Sequence, residues 1–275
     1  MKGIEGHGPS NADHWARFWD RHTIVHTHIP KTAGSTLTRA LFDLAGEAVL
    51  DMRDVGRSLR EVKDELRAGL RVLAGHVFHA AHRHLPKVPL YIASVRDPVE
   101  REVSRYRFLQ TQPDHPAHAA VAGKPFGAAW QALREFRGAE KTRNRQCQRL
   151  TGFLDPDKLR KPLVRQRLTE RYLLVIPSDR MSETIAALYA AFGRAAPDDR
   201  RENVSTAPLV AVDPDLADQI RETNAMDDWM VREAARVFPQ RLAAAIDYLA
   251  DPESGAIASP ETKLVNNATP REWMT

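Results

Sequence analysis

Three residues in this sequence sit where their chemistry could be used together. Lys31 lies in His28-Ile29-Pro30-Lys31-Thr32-Ala33-Gly34-Ser35-Thr36, His76 follows Gly75, and Arg96 precedes Asp97-Pro98. Each comes at the end of a short apolar run. A lysine beside a glycine turn, with hydroxyls and a helix start behind it, is a phosphate cradle. Its parts are a point charge, orphan backbone N–H groups and the positive end of a helix dipole. It is not a Walker A loop, which needs a glycine five residues ahead of a Gly-Lys pair; here Lys31 precedes Gly34. Arg96 with Ser104 offers a guanidinium fork and a hydroxyl for a second phosphate. A histidine such as His76 can take a proton near neutral pH.

The elements that must position these residues follow from pattern. Thr23–Ile29 is a β-branched run ended by Pro30, and Thr36–Ala45 carries Leu37, Leu41 and Leu44 at helical spacing. Val49-Leu50, 71–75, 90–95 and 172–176 are predicted strands. Ser58 and Glu61 form a capping box opening a helix to about Leu66, and Asp97-Pro98-Val99-Glu100 caps another. Further helices are expected at 126–136, 142–150, 155–168, 182–192, 214–223, 227–238 and 240–249. Strands alternating with helices predict an α/β fold with a mainly parallel sheet. In such sheets ligands bind beyond the carboxyl ends of the strands, so Lys31, His76 and Arg96 are expected to converge.

Length and charge set the frame. The chain has 275 residues, a net charge of +4, 43% hydrophobic and 28% charged residues, which excludes a collagenous, disordered or disulfide-built chain. The division expected is an N-terminal lead over 1–22, one domain over 23–250 and a tail over 251–275. The one cysteine, Cys147, has no internal disulfide partner and is expected to be a small buried residue. Neither a membrane span nor a secretory signal is apparent, so a cytoplasmic location is expected.

Other clusters are weighed against plainer roles. His76, His79, His82 and His84 lack a ligand partner pattern, so no metal is expected. His26 and His28 share a strand face; buried, hydrogen-bonded histidines are the ordinary case, though His28 is close enough to the loop to contact substrate. Arg134, Arg137, Lys141, Arg143, Arg145 and Arg149 form the densest basic segment. It is either a solvated face or a groove for an anionic acceptor, with Arg145, Gln146 and Arg149 as candidate contacts. Few aromatics interleave, so nucleic acid is not the expected partner. Arg101 and Arg105 are read as solvated helix residues.

The residues carry a resemblance. His28 to Thr36 resembles the 5′-phosphosulfate loop of carbohydrate sulfotransferases, and Val95-Arg96-Asp97-Pro98-Val99-Glu100-Arg101 with Ser104 and Tyr106 resembles their 3′-phosphate element. Gly75-His76-Val77 is similar to the segment bearing the catalytic histidine in the heparan sulfate and uronyl 2-O-sulfotransferase branch. Asn144-x-Gln146-x-x-Arg149-Leu150-x-Gly152, Glu202-Asn203-Val204-Ser205 and Asp227-Asp228 resemble segments of the broader family. That branch carries a second histidine two positions before the catalytic one, where this chain has Ala74, and its Golgi members have an N-terminal membrane anchor not seen here. A bacterial-type enzyme with a different acceptor fits this pattern.

The resemblance implies a P-loop-like three-layer α/β fold with helical additions and the donor 3′-phosphoadenosine 5′-phosphosulfate. The products would be an O-sulfated carbohydrate and adenosine 3′,5′-bisphosphate. By position, Lys31, Thr32, Ala33, Gly34, Ser35 and Thr36 would hold the 5′-phosphosulfate. Arg96 and Ser104, with Arg201 and Ser205 closing over them, would hold the 3′-phosphate, and His76 would be the general base. Two other functions remain open at this stage: an ATP-dependent kinase of P-loop-like fold, and a non-enzymatic binder of anionic glycan or nucleic acid.

Overall fold

The computed structural model describes residues 11–52, 61–76, 83–138, 142–197 and 210–252. Five parallel strands form the centre: β1 (His22–Thr27), β2 (Val49–Met52), β3 (Val72–Gly75), β4 (Val88–Val95) and β5 (Tyr172–Pro177), in the order β2-β3-β1-β4-β5. The predicted α/β class with a parallel sheet is what is observed.

Neighbouring residues of each strand serve opposite layers. Ile24, Val72 and Leu90 enter one core, while Val25, Leu73 and Tyr91 enter the other. Both faces are therefore covered, as parallel sheets require. The first layer is built by α1 (Asn11–Arg21), α2 (Gly34–Ala45) and α8 (Met181–Ala191), through Phe18, Trp19, Leu37, Leu41, Met181 and Leu188. The second holds α6 (Arg145–Thr151) and α7 (Lys161–Gln166), through Cys147, Leu150 and Val164. The remaining helices are α3 (Asp64–Gly69), α4 (Pro98–Gln110), α5 (Phe126–Arg137), α9 (Pro214–Thr223) and α10 (Ala225–Ala250).

Several boundaries differ from expectation for local reasons. Residues 11–21, assigned to the N-terminal lead, form a helix whose Phe18 and Trp19 are buried in the core. The helix expected at 142–150 starts only at Arg145, because Asn144 adopts a left-handed φ of 51°. The helix expected at 155–168 is broken into a turn at Pro156–Lys158, α7 and a π turn over Arg167–Arg171. Pro162 in the first turn of α7 sets its start. The two helices expected around Pro239 are one, α10. The proline removes one N–H from the ladder. The helix continues because both halves bury an apolar stripe: Met230 and Ala234 on one layer, Phe238, Leu242 and Ala245 on the other. The Ser58 capping box lies outside the described residues.

Candidate functional site

The site is set by strand order. The central strand β1 lies between β3 and β4, with Thr27 level with both Gly75 and Ala93. The chain leaves β1 at His28, β3 at His76 and β4 at Arg96, so the three expected positions emerge along one end of the sheet. The successive connections from β1 run first to β2 at one edge and later to β4 on the other side, which makes the β1–β4 boundary a topological switch point.

The loop after β1 is held in an unusual shape. Lys31 and Ala33 have φ of 70° and 66°, left-handed values that disfavour residues with a Cβ by on the order of 1 kcal/mol each. Thr32 locks the loop between them. Its buried hydroxyl donates to the Ile29 carbonyl (2.8 Å) and accepts from Ser94 on β4 (2.9 Å). That hydroxyl is thus engaged in holding the loop, and the chemistry left to Thr32 is its backbone. No side chain caps α2; its ladder opens with the Leu37 N–H donating to the Ala33 carbonyl at 3.4 Å. The amides of Gly34, Ser35 and Thr36 lie ahead of that bond, at the positive end of the helix.

Lys31 and Arg96 face each other electrostatically. Burial first, and then the Arg96 charge, push Lys31 below the ordinary lysine value. The Lys31 ammonium rests 4.5 Å from the ring centre of Phe108 on α4. Arg96 is half-buried, and its Nε donates to Glu100 Oε2 at 3.0 Å. Two neighbouring cations at the mouth of a parallel sheet form a place where an anion relieves repulsion. Ser104 is half-buried on α4, whose N-terminus is capped as expected: Asp97 Oδ1 accepts from the Val99 and Glu100 amides at 2.8 and 3.0 Å.

His76 is exposed, and its ring centre is 5.4 Å from that of His28. His28 is buried, and its imidazole lies on Gly34 with no room for a side chain there. Behind it His26, whose ring centre is 5.6 Å from that of His28, pairs through Nδ1 with the Thr38 hydroxyl at 2.9 Å. His26 stands level with Ala74 in the sheet register. Gly75 has φ of 152°, and a Cβ there would strike the Met52 backbone at 2.8 Å, so only glycine fits before His76.

The remaining predicted residues divide. Gln146 is fully buried: its side-chain oxygen accepts from the Arg96 amide at 2.9 Å and its nitrogen donates to the Arg96 carbonyl at 2.8 Å. Both ends of its side-chain amide are thus engaged by the backbone of Arg96. Arg149 donates from Nη1 to the His76 carbonyl at 2.9 Å. Arg145 is half-buried on the same helix. Burial, then Arg101 and Arg105, lower its pKa; burial, then Arg145 and Arg101, lower that of Arg149; and burial, then Arg145, lower that of Arg137. These guanidiniums form one positive patch, tempered by Glu102 and Asp227. Arg134 instead stacks over Trp130 at 4.9 Å, and Arg143 pairs with Asp157 at 2.8 Å. Arg201, Ser205, His79, His82 and Lys141 lie outside the described residues. Among the described residues no group of three or more His, Cys, Asp or Glu is placed to hold a metal ion, and no helix is long and apolar enough to cross a membrane.

Two functional arrangements escaped the sequence. Arg101 is buried, not solvated: its Nε donates to the Pro30 carbonyl (3.2 Å) and its Nη1 to Glu102 Oε1 (3.0 Å), while Arg105 Nη1 binds the other oxygen of Glu102 at 3.2 Å. Secondly, Asn144 and Asp227 cap each other's helices. Asp227 accepts from the Gln146 and Cys147 amides at 3.0 and 2.8 Å, and Asn144 Oδ1 accepts from the Met226 and Asp227 amides at 3.0 and 3.2 Å. The acidic pair after a helix start was the available signal for this.

A five-stranded parallel α/β fold with the Lys31 loop at its switch point has the layout in which such sheets place their ligand crevice. Comparison with known sequences narrows this: a profile of the sulfotransferase family matches residues 16–192, and the chain belongs to that family. Heparan sulfate 2-O-sulfotransferase 1 of Gallus gallus is 30% identical over 110 residues, 34% of this chain and 30% of that protein. The Homo sapiens protein of the same name is 29% identical over the same extent. The matched region thus spans less than a third of those relatives.

Proposed function

We propose that this protein is an O-sulfotransferase that moves a sulfuryl group from 3′-phosphoadenosine 5′-phosphosulfate to a carbohydrate hydroxyl. The observation that carries this is the pairing of two cations, Lys31 and Arg96, at the ends of adjacent strands with His76 on the far side of β1. The donor carries two anionic groups, and the chain offers two cationic side chains at the ends of adjacent strands. Lys31, with the backbone of 32–36 at the start of α2, suits the 5′-phosphosulfate. Arg96 and Ser104 suit the 3′-phosphate, the group that distinguishes this donor from ATP.

The chemistry follows from these positions. The acceptor oxygen attacks sulfur as the bond from sulfur to the bridging phosphate oxygen breaks. His76 accepts the hydroxyl proton. Lys31 stabilises the negative charge growing on the leaving phosphate, as positioned cations do in phosphoryl transfer. The patch of Arg137 and Arg145 favours an acceptor bearing carboxylate or sulfate groups; the named relatives act on heparan sulfate, which is a precedent for such a sugar.

Calorimetric titration with adenosine 3′,5′-bisphosphate and with ATP tests the donor assignment. Micromolar binding of the bisphosphate with weak ATP binding is expected; no binding of the bisphosphate would remove the proposal. His76→Ala is expected to abolish sulfuryl transfer while keeping bisphosphate affinity. Full turnover by that variant would remove His76 as the base.

A further inference from the structure

We propose that the short helix α6 is a bracket that sets the spacing between the donor-binding and proton-accepting halves of the site, with Gln146 and Arg149 as its two positioning residues. This rests on the reading of Arg96 and His76 given above. Gln146 and Arg149 are three residues apart, hence neighbours on one helix face. Gln146 grips the backbone of Arg96 on both its N–H and its C=O side (2.9 and 2.8 Å). Arg149 grips the backbone of His76 through its carbonyl (2.9 Å). Arg96 follows β4 and His76 follows β3, and β1 lies between those strands. One turn of helix therefore spans three strands and touches both outer ones at the residue where each leaves the sheet.

The bracket is itself fixed from behind. Two amides of its first turn, those of Gln146 and Cys147, donate to the buried Asp227 carboxylate on α10. Cys147 and Leu150 anchor its inner face in the core. A rigid helix tied at three places transmits any shift of one strand end to the other. Sulfuryl transfer needs the attacking oxygen, the sulfur and the leaving oxygen in line, so a misplacement of about 1 Å between the two halves is enough to lose rate. Neither side chain needs to touch a substrate for this.

The two positioning residues leave different signatures. In Gln146→Glu the group facing the Arg96 carbonyl becomes an oxygen, so one of the two bonds turns repulsive. Bisphosphate affinity is expected to fall about tenfold, the worth of one lost buried hydrogen bond. In Arg149→Met the bisphosphate affinity is expected to stay within about twofold. The His76 imidazole signal, identified in histidine-labelled protein by its absence from His76→Ala, is expected to move or broaden. With a heparan oligosaccharide as acceptor, Arg149→Met is expected to lower kcat, leave acceptor KM nearly unchanged and regain rate with added guanidinium.

An unchanged bisphosphate affinity in Gln146→Glu, or a superimposable His76 signal in Arg149→Met, would overturn the bracket. So would a raised acceptor KM at full kcat, which marks Arg149 as an acceptor contact. Circular dichroism of each variant separates these results from misfolding; if Gln146→Glu fails to fold, Gln146→Asn, which shortens the same amide, is titrated instead. Full turnover by His76→Ala falls on the base assignment, and absence of bisphosphate binding by the wild type falls on the donor assignment. In either case the His76 spectrum of Arg149→Met still decides the bracket.

Discussion

The imidazole of His28 lies against the bare Cα of Gly34: a Cβ at that position would stand 2.4 Å from Cδ2 and 2.8 Å from Nε2. Gly34 is therefore required for contact and not for backbone freedom, and His28 becomes a wedge between the start of α2 and His76. Gly34→Ala is expected to destabilise the protein by about 1–3 kcal/mol, as overpacking does, and to weaken bisphosphate binding. In Gly34→Ala combined with His28→Ala the added Cβ has no imidazole to strike. The loss of stability in urea is expected to be smaller than the sum of the two single losses, and simple additivity would show that the contact is not the cause.

Lys31 supplies a dependence of donor affinity on pH. Its pKa is lowered by burial and by Arg96, and binding of a phosphate anion favours the charged ammonium. Affinity is thus constant while free Lys31 is protonated. It declines as pH rises through the lowered pKa, earlier than an ordinary lysine would allow. Bisphosphate titration from neutral to alkaline pH should show this decline. Lys31→Arg, which stays charged, should flatten it; an equally steep decline in that variant would place its origin elsewhere.

Asp227 is the acceptor for two buried amides of α6, and burial pushes its own carboxyl upward against those bonds. Asp227→Ala strands both amides and is expected to cost about 2–4 kcal/mol of stability. Cys147, buried and with its thiol pushed well up by that burial, is expected to be silent toward a disulfide reagent in the native protein. In Asp227→Ala it should react. Equal thiol reactivity in both proteins would mean that the cap does not hold the helix.

Glu233 carries an acid-sensitive contribution. Hydrogen bonds from Arg236 above all, and from Arg165, bring its carboxyl from 4.5 to about 2. A carboxylate with a depressed pKa adds stability above its unfolded value and loses it as pH falls from about 4.5 toward 2. Glu233→Gln should lower stability at neutral pH and narrow the gap to wild type near pH 3. A constant gap across that window in urea titrations would contradict the assignment.

The sheet was legible because its strands are β-branched or apolar runs followed by Pro30, Gly75 and Asp97, which are strong local stops. The ends of those strands mark Lys31, His76 and Arg96 in the sequence itself. What the pattern could not show is who lies on top of whom. Arg101 looks like any solvated helix charge until the Pro30 carbonyl folds onto it. Gln146 and Arg149 are polar residues in a motif, and a polar side chain aimed at a distant backbone group leaves no periodic trace. Pro239 suggested a helix end, yet the apolar stripe on both sides of it outweighs one missing hydrogen bond.

The family profile matches residues 16 to 192, whereas Asp227 and the long helix it opens stand beyond that span. The first turn of the helix that meets both Arg96 and His76 therefore depends on a carboxylate outside the matched span. A boundary drawn at residue 192 would sever the chemistry from its foundation. The working unit is bounded by who satisfies whose amide, and on that measure it reaches at least to the helix that closes at Ala250.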